Sequence, residues 1–438
     1  MRFKLFALLL CFSFQSICQN QVYFLKDSAH TFAKENIALG SFQKLKKQIL
    51  EQYSDDVYWF KIPSYPTNSE YVFKIVYERI SGVEAYQNNK KLQKLKNQRF
   101  LSYQFNREND VYIKVSPKLH AYIPVEFNNL ETTILKENNH FLLNGFYYGF
   151  AFLVIIFNLF YYLLFKDDAF LYYALFLGST SFGVFTMDGM LNYLNISDSL
   201  NNVIMILNYY CLAFFSSKFA NSYLFLENYY PKLKRLSYAL GIIIIISGLL
   251  YLNSKNYYYL LSVNILVFSL LIIYWFSSVL LFKKNVYTKI LSFAFVIILF
   301  LGVDFFVLNF LGYSILHTNQ NNIKIGAFIE MIILSIAVLY RMKTLKEENE
   351  FMTQEIINYS KLLNIKNKEN KNKSITNNID DLSVREREIF DLILMGKSNK
   401  EIATTVNISI NTVKFHIKNI YEKLHIKSRK EAFNLSFH

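Results

Sequence analysis

The chain has 438 residues, of which 53% are hydrophobic and 18% aromatic, with only five prolines. Such a composition can bury a large core, and several apolar stretches are too long to belong to a purely soluble protein. The formal charge of +14 points to a nucleic acid partner, to lysine-rich loops beside a membrane, or to both.

Residues 1–18 have the form of a signal peptide. Arg2 and Lys4 supply the charged start, Leu5 to Phe14 an apolar run too short to span a bilayer, and Ser16 and Cys18 the small residues before a cleavage point at Gln19. The alternative, a lipoprotein acylated at Cys18, is disfavoured by bulky Ile17. Cys11 and Cys18 leave with this segment and Cys211 lies in an apolar run, so the exported domain is expected to hold no disulfide.

Residues 19–140 change to short aromatic-rich strands: VYWFKI, YVFKIVY, FLSYQF, VYIKV and AYIPVEF. The length suits one β-sandwich, expected to be a periplasmic sensor domain. The basic run NNKKLQKLKNQR between two of the strands reads as a solvated hairpin or loop, with a polyanion site as the alternative.

Seven apolar runs follow, near 141–165, 169–187, 203–226, 236–252, 260–282, 288–311 and 323–340. Each approaches the ~20 residues that a helix needs to cross ~30 Å of hydrocarbon. Residues 141–341 therefore read as a seven-helix transmembrane bundle. Alternate loops carry Lys166, then Lys232, Lys234 and Arg235, then Lys283, Lys284 and Lys289, then Arg341, Lys343 and Lys346. The other loops hold only Lys255 and Lys324. This bias predicts a bacterial inner-membrane protein with its N-terminal domain periplasmic and its C-terminus cytoplasmic. Asp304 and Glu330 sit at similar depth, roughly 10 Å from one end of their helices, and form a candidate intramembrane polar site. They either hydrogen-bond neighbours such as Asn264 or share a proton, or else hold a ligand, proton or cation. Lys218, nearer the other end, is expected to snorkel.

Nothing breaks the helix after the last run. Within 342–363, Leu345, Asn349, Met352, Ile356, Tyr359 and Leu363 recur at spacings of four and three. That is a coiled-coil seam with one polar position, predicting a parallel homodimer through this signal helix; a lone amphipathic helix is the alternative. Residues 364–381 are Asn- and Lys-rich and read as a flexible linker. A helix of about 22 residues reaches ~33 Å, and the tether adds ~20–25 Å, enough to clear lipid headgroups and leave room for a duplex.

From 382 to 438 apolar periodicity resumes, punctuated by S-x-x-E capping patterns at Ser383/Glu386, Ser398/Glu401 and Ser428/Glu431, with Ser409 a fourth N-cap. Four short helices are predicted, near 384–395, 399–406, 410–424 and 429–435, with a turn at 407–409 of the length a helix-turn-helix needs. In the third, Val413, Ile417, Ile420 and Leu424 form the buried stripe. Asn411, Thr412, Lys414, Phe415, Lys418 and Asn419 lie off it, a cluster of cations and amides suited to base edges and phosphates. The alternative is a solvated basic face on a protein-interaction domain.

The stretch LSVREREIFDLILMGKSNKEIATTVNISINTVKFHIKNIYEKLHIKSRKEA closely resembles the LuxR-type helix-turn-helix, a bacterial DNA-binding output domain. The resemblance implies that Lys414, Phe415 and Lys418 face bases or flanking phosphates in the major groove, with Ser409, Asn411 and Thr412 near the backbone. The remainder looks like the bacterial seven-transmembrane receptors with diverse intracellular signalling modules. YVFKIVYERISGVEAYQNNKK is similar to a strand pair of that family's jelly-roll extracellular domain, as is VYIKVSPKLHAYIPVEF, and GFYYGFAFLVIIFNLFYYLLF resembles its first span. Some members' jelly-rolls resemble carbohydrate-binding modules, so the implied extracellular ligand is a carbohydrate or other small molecule.

The sequence thus predicts a multidomain membrane protein: exported β-sandwich, seven-helix bundle, coiled-coil linker and all-α output domain. Its expected function is a one-component sensor and transcription regulator with two partners, double-stranded DNA and the lipid bilayer. No kinase core, cyclase signature, P-loop or receiver domain is recognisable, and the histidines lack metal-ligand spacing, so no catalysis, cofactor or metal is expected. Two rival functions remain: a transporter or channel with a regulatory tail, and a receptor whose terminal domain docks another regulator.

Overall fold

The computed structural model describes residues 22–369 and 382–435, apart from 54, 68, 118, 120, 284, 285 and 425. The signal peptide and most of the linker expected at 364–381 lie outside these residues. The chain forms two compact units, 1–338 and 339–438.

Among the described residues the first unit has eleven antiparallel strands: β1 (Tyr23–Asp27), β2 (Gln43–Lys44), β3 (Ile49–Glu51), β4 (Val57–Ile62), β5 (Glu70–Ile75), β6 (Val83–Gln87), β7 (Lys90–Lys91), β8 (Leu101–Asn106), β9 (Val111–Val115), β10 (Ala121–Ile123) and β11 (Val125–Asn129). One sheet has the order β2-β1-β4-β9-β6-β7; β11-β5-β8 and β10-β3 form two smaller ones. The larger two pack as a sandwich: the Phe60 ring of β4 lies 5.7 Å from Phe73 of β5, and Tyr103 of β8 donates to the Val83 carbonyl of β6 at 2.8 Å. Alternation makes β9 half-buried, whereas β4 is buried on both faces. The second face of β4 is covered by a cluster of Trp59, Val57 and Ile37, with Phe32 and Phe42 packed against it.

Two expectations change here. AYIPVEF is not one strand. Pro124 has no N–H to continue a ladder, so β10 pairs with β3 while β11 pairs with β5. Strands β5 and β6, read as a pair, form but lie in opposite sheets. The basic run makes the β6–β7 hairpin, turned by Asn88 and Asn89 at positive φ, yet its last residue, Arg99, is buried and ion-paired with Glu137. That residue is no part of a solvated loop.

Strand β11 runs straight into the bundle, with Asn129 accepting from Thr132 N at 2.9 Å as the cap of the first span. The seven apolar helices are Leu130–Phe165, Asp168–Met187, Asp198–Leu224, Lys232–Ser254, Tyr257–Leu280, Val286–Leu311 and Gln320–Leu363, the last being part of one helix, Gln320–Glu369. The first and fourth spans are 17% buried and the second, third, fifth and seventh 44–50%, so the latter form the centre. Outward-facing Leu142, Leu143, Phe146, Phe152, Leu249 and Leu250 make an apolar surface far larger than water tolerates, and lipid is its solvent. Inside, aromatic hydroxyls tie the spans to the seventh: Tyr173 donates to Met331 O at 3.2 Å and Tyr223 to Ala337 O at 3.0 Å.

The sandwich sits directly on one end of the bundle. The loop between β5 and β6 inserts Arg79, whose guanidinium lies over the Tyr209 and Phe310 rings and donates to Tyr209 Oη at 2.8 Å. Its neighbour Glu78 accepts from Gln320 Nε2 at 3.2 Å. Gly189, at φ +72, closes the second span so tightly against the sandwich that a Cβ would lie 2.1 Å from Arg99 O. No other residue fits there.

Asp304 and Glu330 share no hydrogen-bond partner among the described residues. Asp304 opens a π-helical turn and its carboxylate accepts from Ser314 Oγ and from the backbone N–H groups of Ile315, Leu316 and Thr318, at 2.7–3.2 Å. It organises the loop into the seventh span. Neither Glu330 nor Asn264 is among these partners. Glu330 is buried beside Ser179, Thr180, Asn208 and Tyr209, with Oε1 unpartnered among the described residues. Lys218 lies over the Phe214 and Tyr238 rings and donates to Tyr238 Oη at 3.2 Å.

Candidate nucleic-acid interface

The second unit contains four short helices: α1 (Val384–Leu394), α2 (Asn399–Val406), α3 (Ile410–Lys423) and α4 (Arg429–Leu435). Local chemistry sets their ends. Ser383 and Ser398 form reciprocal capping boxes with Glu386 and Glu401, and Asn407 closes α2 at φ 57. Ser409 then caps α3, accepting from Thr412 N at 3.1 Å. At Ser428/Glu431 the return bond goes one residue earlier, from Lys427 N to Glu431 Oε2 at 2.7 Å. The core joins Ile389, Phe390 and Ile393 of α1 and Ile402 and Val406 of α2 to Val413 and Ile420 of α3. This fixes α3 across α2 with one face outward, the arrangement of a helix-turn-helix.

On that outward face Asn411, Lys414 and Lys418 are exposed and Phe415 is half-buried. Spacings of three and four place them on one side of the helix. Glu422 closes the stripe, 3.9 Å from Lys418. Thr412 and Asn419, expected off the buried stripe, are each only 7% exposed. Thr412 is turned inward by its 2.7 Å hydroxyl contact with Ser409, and neither presents a surface comparable to Lys414.

Two other cations of this domain are structural. Lys423 forms a buried ion pair with Glu386 of α1 and Arg429 donates to Lys397 O, linking α4 to the start of α2. Sequence spacing missed both, because their partners lie 37 and 32 residues away. Arg385 likewise reaches Val406 O at 2.6 Å.

The part of the preceding helix from Leu339 onward belongs to the same unit and touches α3. Glu355 Oε2 lies 3.6 Å from His416 Nε2, and Lys423 Nζ lies 4.8 Å from the Tyr359 ring centre. Burial pushes the His416 imidazole below its usual range, with Arg385 and Lys423 adding to that and Glu386 opposing it. Of the predicted seam, Tyr359 and Met352 are half-buried, whereas Ile356 and Leu363 remain exposed and Asn349 faces solvent. The helix itself continues six residues beyond the predicted seam, to Glu369.

The family model described as 7TM diverse intracellular signalling matches residues 140–341, and that of the bacterial regulatory proteins, luxR family, matches residues 380–436. The spore germination protein GerE of Bacillus subtilis is 47% identical over 51 residues, 12% of this chain and 69% of that protein. The putative HTH-type transcriptional regulator YhjB of Escherichia coli is 47% identical over 51 residues, and the probable transcriptional regulatory protein SgaR of Hyphomicrobium methylovorum 42% over 57. These cover 12% and 13% of this chain, which spans only 26% and 27% of the two relatives. The shared part is the C-terminal helical domain.

Proposed function

We propose, from the premise that this chain belongs to the luxR family of bacterial regulatory proteins and carries a seven-span signalling domain, that it is a one-component receptor for a signal arriving at its β-sandwich. The coarser frame is a multi-pass membrane regulator with a DNA-binding domain. The observation that carries the finer reading is one uninterrupted helix, Gln320–Glu369. It starts as the seventh span, and its later part holds Glu355 and Tyr359 against α3. A change in the bundle that moves this helix has a covalent route to the DNA-reading element.

Charge supports one orientation. Loops at the bundle end opposite the sandwich carry Lys166, Lys232, Lys234, Arg235 and Lys289, which supports placing that end in the cytoplasm and the sandwich in the periplasm of an inner-membrane protein. Exposed Ile356 and Leu363 support a homodimer through the signal helix, which would match two output domains to two half-sites. In the reading head, Lys414 and Lys418 supply phosphate and base contacts, Asn411 and Phe415 flank them, and Ser409 with its N-terminal turn of α3 meets the backbone. Thr412 and Asn419 hold α3 in place. The reading assigns the chain no chemical step.

Fluorescence anisotropy of the full chain in lipid nanodiscs, with a duplex selected from a random pool, tests this across a salt series. The wild type is expected to prefer the selected duplex over random competitor. Equal affinity for both sequences rejects DNA reading and favours a docking module.

A further inference from the structure

The geometry points to a binding site for a small polyanion in the cleft where the sandwich meets the bundle. This cleft has a volume of about 580 Å³, within the roughly 300–1,000 Å³ typical of small-molecule sites. Its walls come from several separate parts of the first unit. Lys46 and Lys47 lie between β2 and β3, and Lys74 and Glu126 on β5 and β11. Lys136, Glu137 and His140 come from the start of the first span, and His317, Asn319 and Gln320 from the approach to the seventh.

Charge defines the ligand. The lining holds five cationic side chains, Lys46, Lys47, Lys74, Arg99 and Lys136, against three carboxylates, Glu126, Glu137 and Asp188. Two of those carboxylates are already neutralised. Glu137 bridges Lys74 at 2.8 Å and Arg99 at 2.5 Å, and Asp188 pairs with Lys324 at 2.8 Å while accepting from Tyr148 Oη. Lys46 and Lys47 are exposed and have no acidic partner among the described residues, and Lys136 reaches only the neutral Asn128 Oδ1, at 3.2 Å. Three cations therefore converge on the cleft over a floor whose ion pairs are internally satisfied. A molecule with two or more carboxylate, sulfate or phosphate groups matches that surplus by charge-assisted hydrogen bonds. An acidic sugar in solution and a phosphate-bearing lipid headgroup share this chemistry.

The position gives the site consequence. The same cleft is lined by strands of the sandwich and by Gln320, the first residue of the helix that carries Glu355 and Tyr359. An anion bridging Lys46 and Lys47 to the 317–321 segment draws the two together. This consequence rests on the receptor reading above; the binding itself does not.

The test uses the full chain in phosphatidylcholine nanodiscs, titrated calorimetrically with inorganic phosphate, citrate and trigalacturonate. Saturable binding of citrate or trigalacturonate, tighter than phosphate and weakened at least tenfold in K46A/K47A/K136A, is the expected result. E126Q, which removes a negative charge without disturbing an ion pair, should tighten binding about two- to threefold. A parallel titration in phosphatidylglycerol discs separates the sources. Competition by the lipid assigns the site to a headgroup, and unchanged binding assigns it to a soluble anion. Equal affinities in wild type and triple variant overturn the proposal, as does absence of probe binding in phosphatidylcholine without thermal stabilisation of the wild type over the triple variant by phosphatidylglycerol. DNA affinity is measured in the same samples. If the anion binds but leaves it unchanged, the site stands and the receptor reading fails.

Discussion

The two ends of the chain use their cations in opposite ways. In the output domain Lys414 and Lys418 stand four residues apart on one helix and face solvent. Where sandwich meets bundle, Lys74, Arg99 and Lys324 are buried and find their carboxylates 63, 38 and 136 residues away in sequence. Lys414 and Lys418 stay solvent-exposed, whereas Lys74 and Arg99 tie the sandwich to Glu137 of the first span and Lys324 ties the seventh span to the end of the second. The one acid near Lys418 is its exposed helical neighbour Glu422, whereas the acids of the buried cations come from distant elements, which spacing along the chain does not reveal.

Substitutions should separate these roles. The largest effect is expected from Arg99→Ala, which removes a buried cation, one of the two that pair with half-buried Glu137, and its bond to Asp188 O. Losing one partner of a buried ion pair costs about 3–5 kcal/mol. Scanning fluorimetry reporting on buried Trp59 should show a clearly lowered melting temperature, and an unchanged one would break the comparison.

Next in size, the K414A/K418A double variant should lose about 2–4 kcal/mol of DNA affinity. Its log–log salt slope should become shallower by roughly 2, with thermal stability unchanged. Lost stability instead would return these lysines to the structural class.

Glu78 sharpens the comparison through pH. Burial, opposed by the Arg79 guanidinium 3.3 Å away, pushes its carboxyl up to about 7. An acid raised in the folded state favours folding in its protonated form. Its contribution is therefore complete below the unfolded value near 4.5 and is lost as pH rises through about 7. Stability of the first unit should fall across that window and flatten above it, and E78Q should remove the slope. A wild-type profile flat from pH 4.5 to 7.5 would contradict this.

The smallest effect belongs to Tyr359→Ala. A partly exposed cation–π contact with Lys423 is worth about 0.5–1 kcal/mol, read as a slight drop in the denaturation midpoint of the second unit. A loss several times larger would show that the signal helix is part of the output-domain core.

Legibility followed the same division. The capping boxes at Ser383 and Ser398, the turn at Asn407 and the Val413/Ile420 stripe depend on neighbours within four residues, and periodicity alone located them. The seven spans were equally plain, since length and hydropathy decide them. Thr412 and Asn419 were misplaced because a helical projection gives an angle, not what packs over it. Arg99 was misread because its partner Glu137 lies on another element. The cleft was invisible for that reason: each wall is an ordinary polar loop until the sandwich sits on the bundle.

The central claim is that one polypeptide both spans the bilayer and reads a duplex. The direct measurement is cross-linking of the intact, membrane-fraction protein to the chromosome in cells, followed by sequencing of the bound DNA. The account predicts discrete occupied sites that disappear in K414A/K418A while membrane levels of the protein persist. Coverage indistinguishable between the two proteins, or sites recovered only with a soluble fragment, would contradict it.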